Sequence, residues 1–224
     1  MLLSLPRTPA TLIVVSRSLT AVFILAATIA AGAAASSGPP RWPAPPDPMR
    51  LARAAGLVPE PAEQLQYHVH SHLDVFVNGK RVTVPAGIGI NTHDPAVQSG
   101  KLADGTTAYG GISTPCAHPC ISPLHTHAAY GVLHTETSKP QPNRLGQFFV
   151  EWGVRLDRRC VGGYCKGIRT YVDGKRFEGD PRQILLADRR EIAIVIGTPP
   201  RKIPSKFPPV SISLPLSGHG GGTT

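Results

Sequence analysis

The chain has 224 residues, which is enough for one or two domains. Its formal net charge is +9, so an anionic surface or polymer is a conceivable partner. The lysines and arginines are scattered, however, and aromatic side chains are not interleaved with them, so we expect no nucleic-acid partner.

The N-terminal residues 1–35 have the organisation of a secretory signal peptide. They contain no acidic residue, and Arg7 and Arg17 precede a largely apolar run, residues 19–35, that ends in small residues. An uncleaved membrane anchor is the alternative, although the run is just short of the ~20 residues that a spanning helix needs. We therefore expect a secreted or cell-envelope protein, attached to the membrane through this segment only if it is not cleaved.

Proline-rich sequence marks both ends of the remaining chain. Residues 36–59 begin with SSGPPRWPAPPD, which predicts an extended tether. Asp47 and Pro48 then predict the N-cap and first residue of a short helix. Residues 198–224 are rich in proline and glycine and predict a disordered tail. The single folded domain is therefore expected at residues 60–197.

Two stretches predict β-hairpins with the same turn chemistry. In LDVFVNGKRVTV, the Asn-Gly pair at 78–79 is a two-residue turn favoured between twisted strands, and residues 80–84 form the return strand. The sequence YVDGKRF repeats this pattern, with Asp-Gly at 173–174. Residues 191–197, EIAIVIG, are a β-branched run that is typical of a buried central strand.

One clear amphipathic helix is predicted within the domain, at residues 144–153. Its apolar positions follow one stripe with the spacing i, i+3, i+4 and i+7: Leu145, Phe148, Phe149 and Trp152. Asn143 is the predicted N-cap, and Gly153 is predicted to end the helix in the left-handed conformation. We interpret the aromatic side chains as part of the core.

The order of these elements predicts an α+β fold, a mixed β-sheet with one main amphipathic helix packed on one face. The segments VNGKRVTVPAG and EIAIVIG, with the helix between them, resemble the β-grasp (ubiquitin-like) fold. The long connection between the hairpin and the helix departs from that fold. The segments PLHTH and GQFFVEWGV also resemble parts of exported bacterial proteins of unknown function, a resemblance that implies no activity.

The four cysteines are Cys116, Cys120, Cys160 and Cys165. An even number in an exported chain favours disulfides, and the sequence leaves all three pairings open. A zinc site made of the four thiolates is one alternative. A further alternative is a redox-active or copper-binding C-x3-C pair, since this pair, with His118 between its cysteines, resembles the copper site of the Sco-type assembly proteins.

Histidine is concentrated in the first half of the domain, and eight of the nine histidines lie between residues 68 and 134. His68, His70 and His72 alternate along a predicted strand and therefore share one face with Asp74. Core packing does not require a row of histidines on that face. We interpret the row as one wall of a metal site.

The segment PLHTHAAYGVLHTET predicts the other wall of this site. If residues 129–132 form the loop of a hairpin, His127 pairs with His134 and His125 pairs with Glu136, so that all four side chains share a face. Any loop with an even number of residues keeps this parity. Three imidazoles and a carboxylate suit a first-row metal ion such as zinc or copper.

No common catalytic motif, such as G-x-S-x-G, H-E-x-x-H or a Walker loop, occurs in the sequence. We therefore predict an exported protein that binds copper or zinc without catalysis, with the metal ion as its partner and no protein partner indicated. The alternatives are an extracytoplasmic interaction or adhesion domain with a pH-sensitive histidine face and a metalloenzyme with an open coordination position. The predicted ligands, in order of preference, are His125, His127, His134, His70, His72, Glu136 and His68.

Overall fold

The computed structural model describes residues 38–209, which lie in one compact unit. The predicted signal peptide, residues 1–35, lies outside the described residues, as does the part of the predicted tail that begins at residue 210. Across the described range, no helix is both long and apolar enough to cross a membrane.

The fold is α+β, with seven strands in one mixed sheet and two strands in a small second sheet. The helices are α1, Pro48–Ala54, and α2, Leu145–Glu151, with a short 3-10 helix at Pro181–Gln183. The strands are β1 Tyr67–Val77, β2 Lys80–Val82, β3 Gln98–Lys101, β4 Thr107–Gly110, β5 Leu124–His125, β6 Val132–Thr137, β7 Ile168–Val172, β8 Lys175–Phe177 and β9 Arg190–Ile196. The α+β class and the mixed sheet are confirmed. Two α-helices of equal length stand where one main helix was expected, and the likeness to the β-grasp fold stays a prediction.

The large sheet has the strand order β5-β6-β1-β9-β7-β8, and β2 pairs with the C-terminal part of β1. Strand β9 is parallel to β1 on one side and antiparallel to β7 on the other. All of its residues after Arg190 are buried. The prediction of a buried central strand in this region is therefore confirmed, and its β-branched sequence suits a strand that is covered on both faces.

Both predicted hairpins are present and are built on the predicted turns. The first connects β1 to β2 through Asn78 and Gly79, whose φ angles are 48° and 78°. The second connects β7 to β8 through Asp173 and Gly174, with φ angles of 50° and 77°. A type I′ turn requires positive φ at both central residues, and Asn, Asp and Gly are the residues that tolerate it best.

The N-cap of helix α2 lies one residue later in the chain than predicted. Arg144 is the N-cap, and its backbone N–H donates to the side-chain Oε1 of Gln147 at 2.9 Å. Asn143 is buried instead, and its amide donates to the Thr135 hydroxyl at 3.3 Å, so the prediction that it caps the helix was wrong. Gly153 follows the helix with φ of 68°, as predicted.

The aromatic stripe of α2 lies in the main core, as predicted. Phe148, Phe149 and Trp152 are buried there together with apolar side chains from one face of the two central strands: Leu73, Val75 and Val77 of β1 and Ile192, Ile194 and Ile196 of β9. Because side chains alternate along a strand, the other face of β1 carries His68, His70, His72 and Asp74. The histidines thus lie on the sheet face opposite to the one in the main core.

All four cysteines are joined in disulfides, Cys116 to Cys120 and Cys160 to Cys165. Each bond closes a short local loop, which settles the pairing that the sequence left open. No described cysteine is free, so neither a zinc site of four thiolates nor a pair of C-x3-C thiolates for copper is present. A redox-active C-x3-C pair stays a prediction, because its oxidised form is a disulfide. Disulfides of this kind are typical of proteins in an oxidising compartment.

Candidate metal centre

Strands β5 and β6 form the predicted histidine hairpin, but in a different register. His125 pairs with His134, and Leu124 pairs with Thr135. The predicted pairs, His127 with His134 and His125 with Glu136, were therefore wrong by two residues. Residues 126–133 are still even in number, so the predicted parity holds and the side chains meet on one face.

Strand β5 stops after His125 because the next two residues bond to other parts of the chain. The backbone N–H of Thr126 donates to the Ile88 carbonyl at 3.0 Å. The carbonyl of His127 accepts from the Tyr109 N–H at 3.0 Å. His127 is thus held against the small sheet of β3 and β4, and its ring still reaches the ring of His134, with centroids 4.3 Å apart.

A group of four side chains, called here the buried quartet, could hold a metal ion: His125, His127, His134 and Glu136. Each offers one ligand atom, these atoms lie within 4.8 Å of one another, and no member is more than 5% exposed. The Nε2 atoms of His125 and His127 are 3.1 Å apart. Each lies 3.7 Å from Oε1 of Glu136, and Nδ1 of His134 lies 3.3 Å from the same oxygen.

Backbone carbonyls fix the orientation of two of these imidazoles. Nδ1 of His125 lies 2.8 Å from the Ser122 carbonyl, and Nδ1 of His127 lies 2.6 Å from the Tyr109 carbonyl. A carbonyl can only accept, so both Nδ1 atoms carry the hydrogen, and a neutral ring then has its lone pair on Nε2. The two lone pairs face each other, a contact that needs a proton or a cation between them. Ligands at roughly 2.0–2.1 Å from a tetrahedral zinc ion are about 3.3 Å apart, close to the observed spacing.

Glu136 is a carboxylate surrounded by imidazoles. Burial alone would raise its pKa, but the nearby histidines, above all His125, hold the pKa of Glu136 well below its usual range. Its second oxygen, Oε2, is buried without a hydrogen-bond partner. Leaving a charged oxygen in this state is costly, and a bound cation would remove that cost.

The histidines of the cluster differ in how easily they take up a proton. Burial lowers the pKa of His134 well below its usual value and that of His70 to about 4, so both rings are neutral at neutral pH. Burial opposes protonation of His125 too, but the charge of Glu136 outweighs it and raises the pKa of His125. When His125 is protonated, its Nε2–H can donate to Nε2 of His127. A bound metal ion would take the place of that proton.

The first two histidines of the β1 row reach this cluster because β1 pairs with β6. His68 is opposite Glu136, and His70 is opposite His134. Nε2 of His68 lies 3.0 Å from Oε1 of Glu136 and 3.5 Å from Nδ1 of His134. His68, His70 and His134 form a second group whose nitrogens lie within 4.8 Å of one another.

His72 lies apart from these residues, in a third group with Asp74 and Glu191. Its Nδ1 is 2.8 Å from Oε2 of Glu191, and its Nε2 is 2.8 Å from the Tyr130 carbonyl. Burial opposes it, but the hydrogen bond and charge of Glu191 raise the pKa of His72. Arg81 pairs with Asp74, so a permanent cation is already present. The sequence analysis missed Glu191, although an acidic residue at the start of a buried β-branched strand is a usable signal.

Gly110, at the end of β4, is a second residue that the sequence analysis missed. A Cβ atom at this position would lie 2.5 Å from Nδ1 of His127 and 3.0 Å from Oε1 of Glu63. The backbone φ is 137°, which also favours glycine. Gly110 therefore leaves the space in which His127 contacts the Tyr109 carbonyl.

No family model, curated protein or solved structure matches this chain. The function is therefore argued from the geometry of the site. The described chain has buried histidine and glutamate groups that could hold a metal ion, and it has two disulfides.

Proposed function

We propose that this chain is an exported protein that binds one copper or zinc ion through His125, His127, His134 and Glu136. The contact that carries the proposal is the one between the facing Nε2 atoms of His125 and His127, 3.1 Å apart. Both rings are held in this orientation from behind by backbone carbonyls. Metal-ligating histidines commonly donate their other N–H to a carbonyl or carboxylate in this way.

The donor atoms narrow the choice of metal. Three imidazole nitrogens and one carboxylate oxygen suit zinc and oxidised copper. Copper(I) prefers thiolate and thioether ligands, and the described cysteines are all in disulfides. We therefore expect zinc or copper(II) in the buried quartet.

The burial of the ligands supports a site that binds the ion without catalysis. Each member of the quartet is almost fully covered, whereas catalytic zinc sites keep a coordination position open to water or substrate. Burial also distinguishes the quartet from a surface that binds partners through exposed histidines. Export is supported by the N-terminal sequence pattern and by the two disulfides, which suit an oxidising compartment.

The test is the metal content of the full chain, expressed without a histidine tag into an oxidising compartment. Elemental mass spectrometry would compare it with His125→Ala/His127→Ala. His93→Ala/His118→Ala is the matched control, because it also removes two histidines but both are exposed and outside the cluster. We expect about one equivalent of zinc or copper in the wild type and the control, and a loss of it in the site variant.

Two results would contradict the proposal. The first is a wild-type protein that retains neither metal, even after reconstitution with zinc and copper(II). The second is a site variant that keeps as much metal as the control.

A further inference from the structure

A second arrangement of ligand atoms lies beside the buried quartet. Nε2 of His68, Nδ1 of His134 and Oε1 of Glu136 form a triangle with sides of 3.0, 3.3 and 3.5 Å. In the quartet, the Nε2 atoms of His125 and His127 form a similar triangle with the same oxygen, with sides of 3.1, 3.7 and 3.7 Å. Glu136 Oε1 is thus a corner of both triangles.

His70 adds a further nitrogen to the first of these triangles. Its ring centroid lies 4.3 Å from that of His68 and 4.5 Å from that of His134. Its Nε2 is buried and has no hydrogen-bond partner. A ring nitrogen that is buried, unpartnered and next to two other imidazoles is available as a metal ligand.

The two arrangements differ in their access to water. The side chain of His68 is 36% exposed, and His70 is half-buried. The members of the quartet are buried. An ion that arrives from solvent can therefore meet His68 before it meets His125 or His127.

We propose that His68, His70 and His134, called here the outer triad, form an entry site that takes the metal ion from solvent and passes it to the buried quartet. This inference rests on the proposed metal-binding function. His134 belongs to both groups, and Glu136 contacts His68 as well as the quartet. The ion therefore exchanges His68 and His70 for His127 and His125 while His134 and Glu136 hold it.

Shared ligands make this transfer fast for a simple reason. The incoming imidazoles are already within reach of the ion, so each exchange is intramolecular and occurs at a high effective concentration. Each step replaces one imidazole nitrogen by another, and any proton between the Nε2 atoms of His125 and His127 is released to solvent as the ion takes its place. The ion does not have to regain its water shell between the two positions.

An entry site has a kinetic signature that a ligand of the resting site lacks. The ion passes through an entry site but does not rest there. Such a site therefore speeds uptake and release by the same factor and leaves the dissociation constant of the metal ion unchanged. A residue that ligates the resting ion instead speeds release when it is removed, and so weakens binding. The ratio of the two rate constants separates these roles.

The experiment measures uptake and release of zinc by the full chain in a stopped-flow instrument with a competing fluorescent indicator. Copper(II) replaces zinc if copper is the ion that the protein retains. The variant is His68→Ala/His70→Ala, and the control is His93→Ala/His118→Ala. We expect uptake and release in the variant to slow together, by the same factor, to below the rates of the control. Stoichiometry and affinity should stay at the control's values. His68→Gln/His70→Gln should behave likewise while preserving side-chain bulk and polarity.

Three results would count against this inference. Uptake at the control rate in both variants would overturn the entry site. Faster release with lower affinity, or complete loss of zinc, would make His68 and His70 ligands of the resting site and would overturn it too. If the wild type and the control bind neither metal, the proposed function itself fails, which is a distinct outcome.

Discussion

Gly110 offers a way to disturb the candidate metal site without removing a ligand. In Gly110→Ala, the new Cβ atom would lie 2.5 Å from Nδ1 and 2.7 Å from Cε1 of His127. Such distances are below any normal carbon contact, so the His127 ring must move. The Tyr109 carbonyl, which accepts the hydrogen bond from this ring, belongs to the backbone of β4. It therefore cannot move freely with the ring.

The size of the effect follows from what this movement breaks. It removes the 2.6 Å hydrogen bond that orients His127 and shifts its Nε2 away from the position facing His125. Losing such an orienting partner typically weakens metal binding by about 10–100-fold, which is about 1.4–2.7 kcal/mol of binding free energy. Alanine at a left-handed backbone position also lowers the free energy of unfolding, by about 1–2 kcal/mol.

Gly105→Ala separates these two contributions. Gly105 also has a positive φ, of 80°, but a Cβ atom there would meet nothing within 4 Å. Competition titration with a zinc indicator would measure affinity, and urea unfolding of the metal-free protein would measure stability. Both variants should be less stable than the wild type, and only Gly110→Ala should bind zinc more weakly. Equal affinities in the two variants would refute the role given to His127 and its carbonyl partner.

Two further predictions concern the stability of the fold. Glu151 is buried, and neither of its oxygens makes a hydrogen bond of normal geometry. Burial raises the pKa of its carboxyl well above the usual range, and the nearby Ser122 hydroxyl opposes this only weakly. The folded state therefore binds this proton more tightly than the unfolded state, and stability is lost as the pH rises above about 4.5. Glu151→Gln should raise the free energy of unfolding at pH 8 and raise it less at pH 4, because the amide has no proton to lose. An equal gain at both pH values in urea unfolding would contradict this. Cys116→Ser/Cys120→Ser and Cys160→Ser/Cys165→Ser should each cost about 2 kcal/mol in the same assay, because both bonds close short loops. A cost near zero for either pair would show that its loop is equally constrained without the bond.

The elements that the sequence predicted well are those whose chemistry is local. Two turn residues with positive φ are enough to define each hairpin, and four apolar positions define the buried stripe of α2. The capping of α2 is different, because Asn143 could bond either to the helix N-terminus or to the Thr135 hydroxyl, and it bonds to the hydroxyl. That choice depends on where β6 lies, and no residue next to Asn143 in the sequence specifies it.

In the candidate site, too, local sequence predicts only part of the arrangement. Parity along a strand has a period of two, so the meeting of His125 and His134 on one face survived an error in register. The register itself is set by bonds from residues 126 and 127 to Ile88 and Tyr109, which are far away in the sequence. The pairing of β1 with β6 and β9 likewise decides which histidines join the quartet and which one meets Glu191.

The histidine face of β1 ends in two clusters of similar composition, and charge balance distinguishes them. At one end, the imidazole of His72 has partners for both nitrogens, and Arg81 supplies a permanent positive charge to Asp74. Burial opposes protonation of His72, but the hydrogen bond and charge of Glu191 raise the pKa of His72, which favours a second cation beside these two carboxylates. At the other end, the described partners of Glu136 are all imidazoles, one carboxylate oxygen has no partner, and two ring nitrogens face each other. One oxygen of Glu191 is also without a hydrogen-bond partner at the first end, but a metal ion there would be repelled by Arg81. At the second end, the ion would contact the unpartnered oxygen of Glu136 and the two facing nitrogens. The ion is therefore expected among His125, His127, His134 and Glu136 and not beside His72.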